Sequence, residues 1–256
     1  MLIGIKIKKA IKNPKRAIIY LVGGKKAKEK RIFEIMNDFS EDNEILEKLE
    51  KFLQMPLKQY HLELIDNELY TSLLMKMARN WNRLGAFGIT ESRMLYVICR
   101  ALKPEIVIET GVASGLSSSM FLLAMNKTGI GHLYSIDLPP SEELNEKIEQ
   151  ATLLPKEKSS GWLIPENLKN RWTLTLGDSK KILPELLNDV KKCDLFLHDS
   201  DHSYEYMSWE FKTVSPYLKN ALLSDDISKN NAFDEFASNH TGKKLKLSNR
   251  MGFFIL

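Results

Sequence analysis

The sequence predicts an α/β protein: a doubly wound, mostly parallel seven-stranded sheet ending in an antiparallel hairpin, with a helical cap on its N-terminal side. Three observations predict it. From Thr90 onward, strand-like runs at 106–109, 132–137, 172–176, 195–198 and 221–224 alternate with helical patterns near 115–126, 141–151, 179–190, 203–218 and 226–239. Five such alternations imply parallel strands joined by crossover helices. Two further apolar runs, 244–247 and 252–256, have no helix between them, which makes them a hairpin with one strand antiparallel to the rest. Before Thr90 the apolar residues recur at helical rather than strand spacing.

The cap is read over 1–88 and the α/β domain over 89–256. Residues 2–11 are basic and apolar, with a period that fits strand or helix, and Asn13-Pro14 opens a short helix stopped by Gly23-Gly24. Ser40 is placed as the cap of a helix bearing Ile45, Leu46, Leu49, Phe52 and Leu53, which ends near Pro56. A second helix starts near Asp66 or Asn67, with Leu69, Tyr70, Leu73, Leu74, Met77 and Trp81 on one face. Thr90 is placed as the cap of the next, through Met94, Leu95, Val97, Ile98, Ala101 and Leu102.

Composition narrows the class. The chain has 256 residues, 43% apolar and 27% charged, enough for a substantial core and ordinary for a soluble globular protein. Cys99 and Cys193 lie in or beside apolar runs without metal-ligand spacing, which fits a reducing, cytoplasmic setting. No apolar run approaches the ~20 residues of a membrane span, and the N-terminus lacks a secretory leader's apolar region. The net charge of +4 is uneven. Residues 1–31 hold eleven Lys/Arg against Glu29 alone, +10, so the remainder carries −6, a sign that argues against nucleic acid as a partner. The basic segment mixes lysines with isoleucines, as an interfacial membrane anchor does; a solvated cap or an arm joining two copies of the chain explains it equally.

Ligands of doubly wound sheets bind at the carboxyl ends of the strands, and here every parallel strand end supplies an acid. The first ends in Glu109, followed by Gly111 and Gly115 in the pattern E-x-G-x-x-x-G, which differs from the G-x-G-x-x-G of dinucleotide-binding dehydrogenases. An anionic side chain there disfavours a pyrophosphate and suits a ligand carrying an amine and a sulfonium. Asp137 can accept two hydrogen bonds from a ribose diol. Gly177-Asp178-Ser179 offers close backbone approach beside an acid suited to an adenine amino group, although Asp178 serves equally as a helix cap. The fourth strand runs into His198-Asp199-Ser200-Asp201-His202, and the fifth into Asp225-Asp226.

On these residues the chain from about Thr90 onward resembles the catechol O-methyltransferase-like branch of the class I S-adenosylmethionine-dependent methyltransferases, whose sheet is Rossmann-like. It is similar in particular to family-24 methyltransferases and to metal-dependent sugar O-methyltransferases. The resemblance implies a cofactor loop of Glu109, Gly111, Ala113 and Gly115, and gives Ser117 the methionine carboxylate. It implies ribose contact at Asp137 and adenine contact around Gly177, Asp178 and Ser179; His198 is read either as a structural, hydrogen-bonding histidine or as the adenine's neighbour. It implies divalent-metal ligation by Asp199, Asp225 and Asp226, and proton removal by Asp201, which as a helix cap would serve equally well.

Chemistry supports the metal independently. Three carboxylates at adjacent strand ends are hard oxygen ligands suited to Mg²⁺ or Mn²⁺, and without a cation they would repel one another. His202 is expected to be structural or supporting. Segment 161–165, containing Trp162, is either a lid over the cofactor or a plain surface loop, and Trp162, Trp172 and Trp209 are expected to pack rather than bind. The function expected is cofactor- and metal-dependent methylation of a hydroxyl on a sugar, glycan or related small metabolite. The alternatives are a catechol or phenol acceptor, a cofactor-binding partner protein without activity, and a nicotinamide-dependent oxidoreductase.

Overall fold

A computed structural model describes residues 24–80, 87–139, 154, 155 and 157–256. The expected helices over 13–22 and near 141–151, Trp81, and most of the basic N-terminal segment lie outside these residues.

Among the described residues, the helices before residue 88 are α1 (Lys25–Met36), α2 (Asp42–Leu53), α3 (Lys58–Ile65) and α4 (Glu68–Asn80). Asn67 starts α4 as expected, its Oδ1 accepting from the N–H groups of Leu69 and Tyr70. Ser40 does not cap α2, which begins after Glu41 without a side-chain cap. α5 (Ile89–Leu102) starts one residue before Thr90, which therefore sits inside its first turn and accepts from Arg93 instead of capping. α1 and α3 were not anticipated.

The strands are β1 (Ile106–Thr110), β2 (His132–Asp137), β3 (Trp172–Leu176), β4 (Cys193–His198), β5 (Leu218–Ser224), β6 (Lys243–Lys246) and β7 (Gly252–Ile255). They form one sheet in the order β3-β2-β1-β4-β5-β7-β6. β7 runs antiparallel to both of its neighbours, as the terminal hairpin requires. The intervening helices are α6 (Leu116–Thr128), α7 (Ser179–Val190), α8 (Tyr204–Val214) and α9 (Ala232–Asn239). α8 stops earlier than expected because Pro216 enters a 3₁₀ turn at Ser215–Tyr217, and α9 starts six residues later than 226.

Strand residues alternate between two apolar layers, as a sheet covered on both faces demands. Val107, Leu195, Leu197, Ala221, Leu223 and Phe253 pack with the cap helices, α5 and α6. Ile108, Phe196, Leu222 and Phe254 pack with α7, α8 and α9. The first layer is continuous from Ile32 in α1 to Phe253 in β7, so the helices before residue 88 share their core with the sheet. A buried ion pair adds to this union: Arg93 of α5 is bidentate on Asp42 of α2 and donates to the carbonyl of Met36, while His61 of α3 lies 2.6 Å from the same carboxylate. Among the described residues no helix is long and apolar enough to cross a membrane.

Candidate active site

Register brings the strand ends into line. Thr110 pairs with His198, and His198 with Ser224, so Gly111, Asp199 and Asp225 follow side by side along the carboxyl edge. The alignment continues past the ladder: Asp199 N–H donates to Thr110 at 2.9 Å and Asp225 N–H to His198 at 2.9 Å. The strand order reverses direction between β1 and β4, and that switch point is where doubly wound sheets open a crevice.

The loop after β1 forms one half of the site. Gly111 and Gly115 have φ of +84° and +86°, and Ala113 +44°. A Cβ on Gly111 would meet the Asp199 carbonyl oxygen at 2.0 Å, and one on Gly115 the Gly161 Cα at 2.8 Å. Gly111 thus allows the loops after β1 and β4 to touch. Segment 161–165 is neither a lid nor a plain surface loop. It clasps the glycine loop from behind, with Gly161 N–H on Ala113, Leu163 N–H on Ser114, the Trp162 indole donating to Ser114 Oγ at 3.0 Å, and Leu163 buried.

Glu109 is fully buried and accepts from Ser117, from Ser118 at 2.6 Å and from Ser135 at 2.8 Å. Burial pushes its carboxyl up to about 7 against the pull of these three hydroxyls. Ser117 therefore spends its hydroxyl on Glu109 here. α6 has Gly115 at its N-cap and no side-chain cap, which leaves its first amides available to an anion such as a carboxylate. Asp137 accepts from Ala113 N–H at 3.2 Å, and burial raises its carboxyl against the pull of that bond. Gly177 N–H donates to the Asp137 carbonyl at 2.8 Å, placing the third strand end beside the second. Asp178 caps α7 through Lys180 N–H and also accepts from Tyr206. Leu138, after β2, and Leu176, at the end of β3, are both exposed beside these acids.

One buried carboxylate, missed by the sequence reading, joins the halves. Glu210 of α8 accepts from Thr110 (2.6 Å), Ser179 (2.7 Å) and Ser200 (2.9 Å), and lies 2.6 Å from His198 Nδ1. Burial would raise its carboxyl, but His198 and the hydroxyls outweigh it and hold it low. His198 and Ser179 are both buried in this network. The signal was present: in α8 Met207, Glu210, Phe211 and Val214 form a helical stripe, so an acid occupies the inward face.

On the other side lie the acids expected to bind metal. Ligand atoms of Asp199, His202 and Asp225 come within 4.8 Å of one another. Asp226 does not join them. Its backbone is left-handed, and its carboxylate pairs with Lys229 (2.7 Å) and Arg250 (3.0 Å). Arg250 also holds Asp225 Oδ2 at 2.7 Å. Burial, Asp225 and Glu109 raise Asp199 well above the ordinary carboxylate range, and burial raises Asp225 despite Arg250. Burial also lowers His202 to about 4, leaving a neutral imidazole. Two acids driven toward protonation beside a neutral imidazole fit a missing positive charge, and the donor set suits a divalent ion. Asp201 is exposed, and its Oδ1 accepts from Ser203 N–H at 2.8 Å. The α8 cap itself is Ser203.

The sheet order, the antiparallel seventh strand and the glycine loop at the switch point define a class I methyltransferase fold. Residues 108–227 match the family-24 model, described as a methyltransferase domain. No protein of curated function matches the chain in sequence. Solved structures resemble it at low identity. A calicheamicin methyltransferase, CalS11, superposes with a TM-score of 0.50 at 16% identity over 85% of this chain and 93% of its own. An O-methyltransferase from Bacillus cereus in complex with S-adenosylhomocysteine gives 0.50 at 14%, over 74% and 90%. The O-methyltransferase NovP gives 0.51 at 14%, over 66% and 80%.

Proposed function

We propose that the chain is an S-adenosylmethionine-dependent, divalent-metal-dependent O-methyltransferase acting on a hydroxyl of a sugar, glycan or related small metabolite. The observation that carries this reading is the division of the sheet's carboxyl edge at the switch point. A glycine loop, an uncapped helix and Asp137 stand on the β1–β3 side, while Asp199, His202 and Asp225 gather on the β4–β5 side. Similarity to O-methyltransferases, one of them solved with S-adenosylhomocysteine, supports the choice of cofactor and of oxygen.

In this reading the α6 N-terminus receives the methionine carboxylate, Asp137 the ribose diol, and Leu138 with Leu176 the faces of the adenine. Buried Glu109 supplies negative potential toward the cofactor's amine and sulfonium. A bound divalent cation supplies Lewis acidity that eases proton loss from an acceptor hydroxyl. Asp201, exposed just beyond Asp199, takes that proton, with Ser203 N–H fixing one of its oxygens. Methyl transfer is otherwise a matter of alignment, which the touching β1 and β4 loops impose.

Two assays over a panel of sugar and phenolic acceptors test the reading. Chelation to nil metal content abolishes transfer while leaving S-adenosylhomocysteine binding intact; full activity after chelation would rule out the metal. Asp201→Asn keeps the Ser203 bond but not the basicity, so it lowers kcat by about 10²–10⁴-fold at unchanged melting temperature. Near-wild-type turnover would leave Asp201 a turn residue only.

A further inference from the structure

Asp199, Asp225 and Asp226 are not the group that the carboxyl edge brings together. Asp226 lies against the other ring nitrogen of His202, its Oδ2 3.9 Å from Nδ1, and its carboxylate is engaged by Lys229 and by the same Arg250 that holds Asp225 Oδ2. In its place stands His202, whose Nε2 lies 3.6 Å from Asp199 Oδ1. Two ligand atoms each about 2.1 Å from one ion are separated by about 3.0 Å at a right angle and about 4.2 Å when opposed, so 3.6 Å lies in the range of a shared ion. Three polar atoms at this spot are buried without a hydrogen bond: Nε2 of His202, Oδ1 of Asp225, on a residue only 1% exposed, and Nε2 of His198, whose ring stands 5.4 Å from that of His202. Buried polar atoms are seldom left unpartnered, so their presence in one cluster points to a bound partner. Arg250 takes Asp225 Oδ2 and leaves Oδ1 free, and Asn230 donates to the His202 carbonyl at 2.9 Å, fixing the loop that carries the imidazole.

Resting on the metal-dependent reading above, we propose that the cation is held by Asp199, Asp225 and the imidazole of His202, with Asp226 outside its coordination sphere. The ion is then a transition metal such as Mn²⁺ in preference to Mg²⁺. Magnesium favours oxygen ligands and retains its waters, whereas first-row transition ions accept an imidazole nitrogen, and of these Mn²⁺ is the one that also suits carboxylates and water. Asp226 serves instead to anchor Arg250 and Lys229 beside the site.

Calorimetric titration of MnCl₂ and MgCl₂ into the full chain tests this without an acceptor, with S-adenosylhomocysteine binding as the check on folding. The wild type binds Mn²⁺ at least about tenfold more tightly than Mg²⁺. His202→Gln weakens Mn²⁺ by at least about tenfold and removes the preference, while Asp226→Asn changes Mn²⁺ affinity by less than about threefold. Should His202→Gln fail to fold, electron spin-echo modulation of the Mn²⁺-loaded wild type still reports a directly bound nitrogen. Absence of that nitrogen signal overturns the proposal, as does loss of Mn²⁺ binding in Asp226→Asn with retention in His202→Gln. Those results would leave metal dependence standing. A wild type that binds neither ion, or an Asp225→Asn variant that binds Mn²⁺ as well as wild type, removes the metal reading itself.

Discussion

At the scale of single residues, Glu109 is a carboxyl that the unfolded chain ionises near 4.5 and the folded chain only near 7. The folded protein therefore holds a proton that the unfolded chain releases, and stability falls as pH rises through that interval. Glu109→Gln removes the titration, so its stability relative to wild type should improve by on the order of 1–3 kcal/mol between pH 4.5 and pH 8. Urea denaturation at the two pH values measures the difference; an unchanged gap would show that Glu109 is not a raised acid. The role of this residue was legible in part. Its place at a strand end before two glycines marked it in the sequence, but the three serines closing on it come from α6 and β2 and meet only in the fold. Asp226 shows the opposite limit. Beside Asp225 it looks equivalent, and only its left-handed backbone, at φ +49°, turns it to Arg250.

At the scale of elements, the strands were legible because β-branched and aromatic runs sit between turn signals; those of β2 and β3 have the bounds expected. α1 was not, since four of its first six residues are lysine and only Ile32 and Met36 are buried. α3 buries a histidine, His61, which reads as polar until Asp42 is known to face it. α8 carries the most consequential hidden residue, Glu210, whose carboxylate ties β1, α7 and β4 together. Glu210→Ala strands His198 and three hydroxyls, and should destabilise by about 3–5 kcal/mol, with Glu210→Gln losing less because its amide oxygen still accepts. Chemical denaturation checks both; a loss under about 1 kcal/mol for the alanine variant would mean that the network carries little of the fold.

At the scale of the whole molecule, the cap and the sheet share one apolar layer and the buried Asp42–Arg93 pair. The chain should therefore melt in a single calorimetric transition, and Asp42→Ala should lower it by about 3–5 kcal/mol by leaving the Arg93 guanidinium buried and unpaired. Two separable transitions in the wild type would show instead that the cap folds on its own. The central claim concerns the crevice at the switch point, where a glycine loop unlike that of the dehydrogenases meets acids on every side. Isothermal titration of the full chain with S-adenosylhomocysteine and with NAD⁺ tests it most directly. The account predicts one-to-one binding of S-adenosylhomocysteine, weakened in Asp137→Asn, and no binding of NAD⁺. Binding of NAD⁺ without S-adenosylhomocysteine would contradict it.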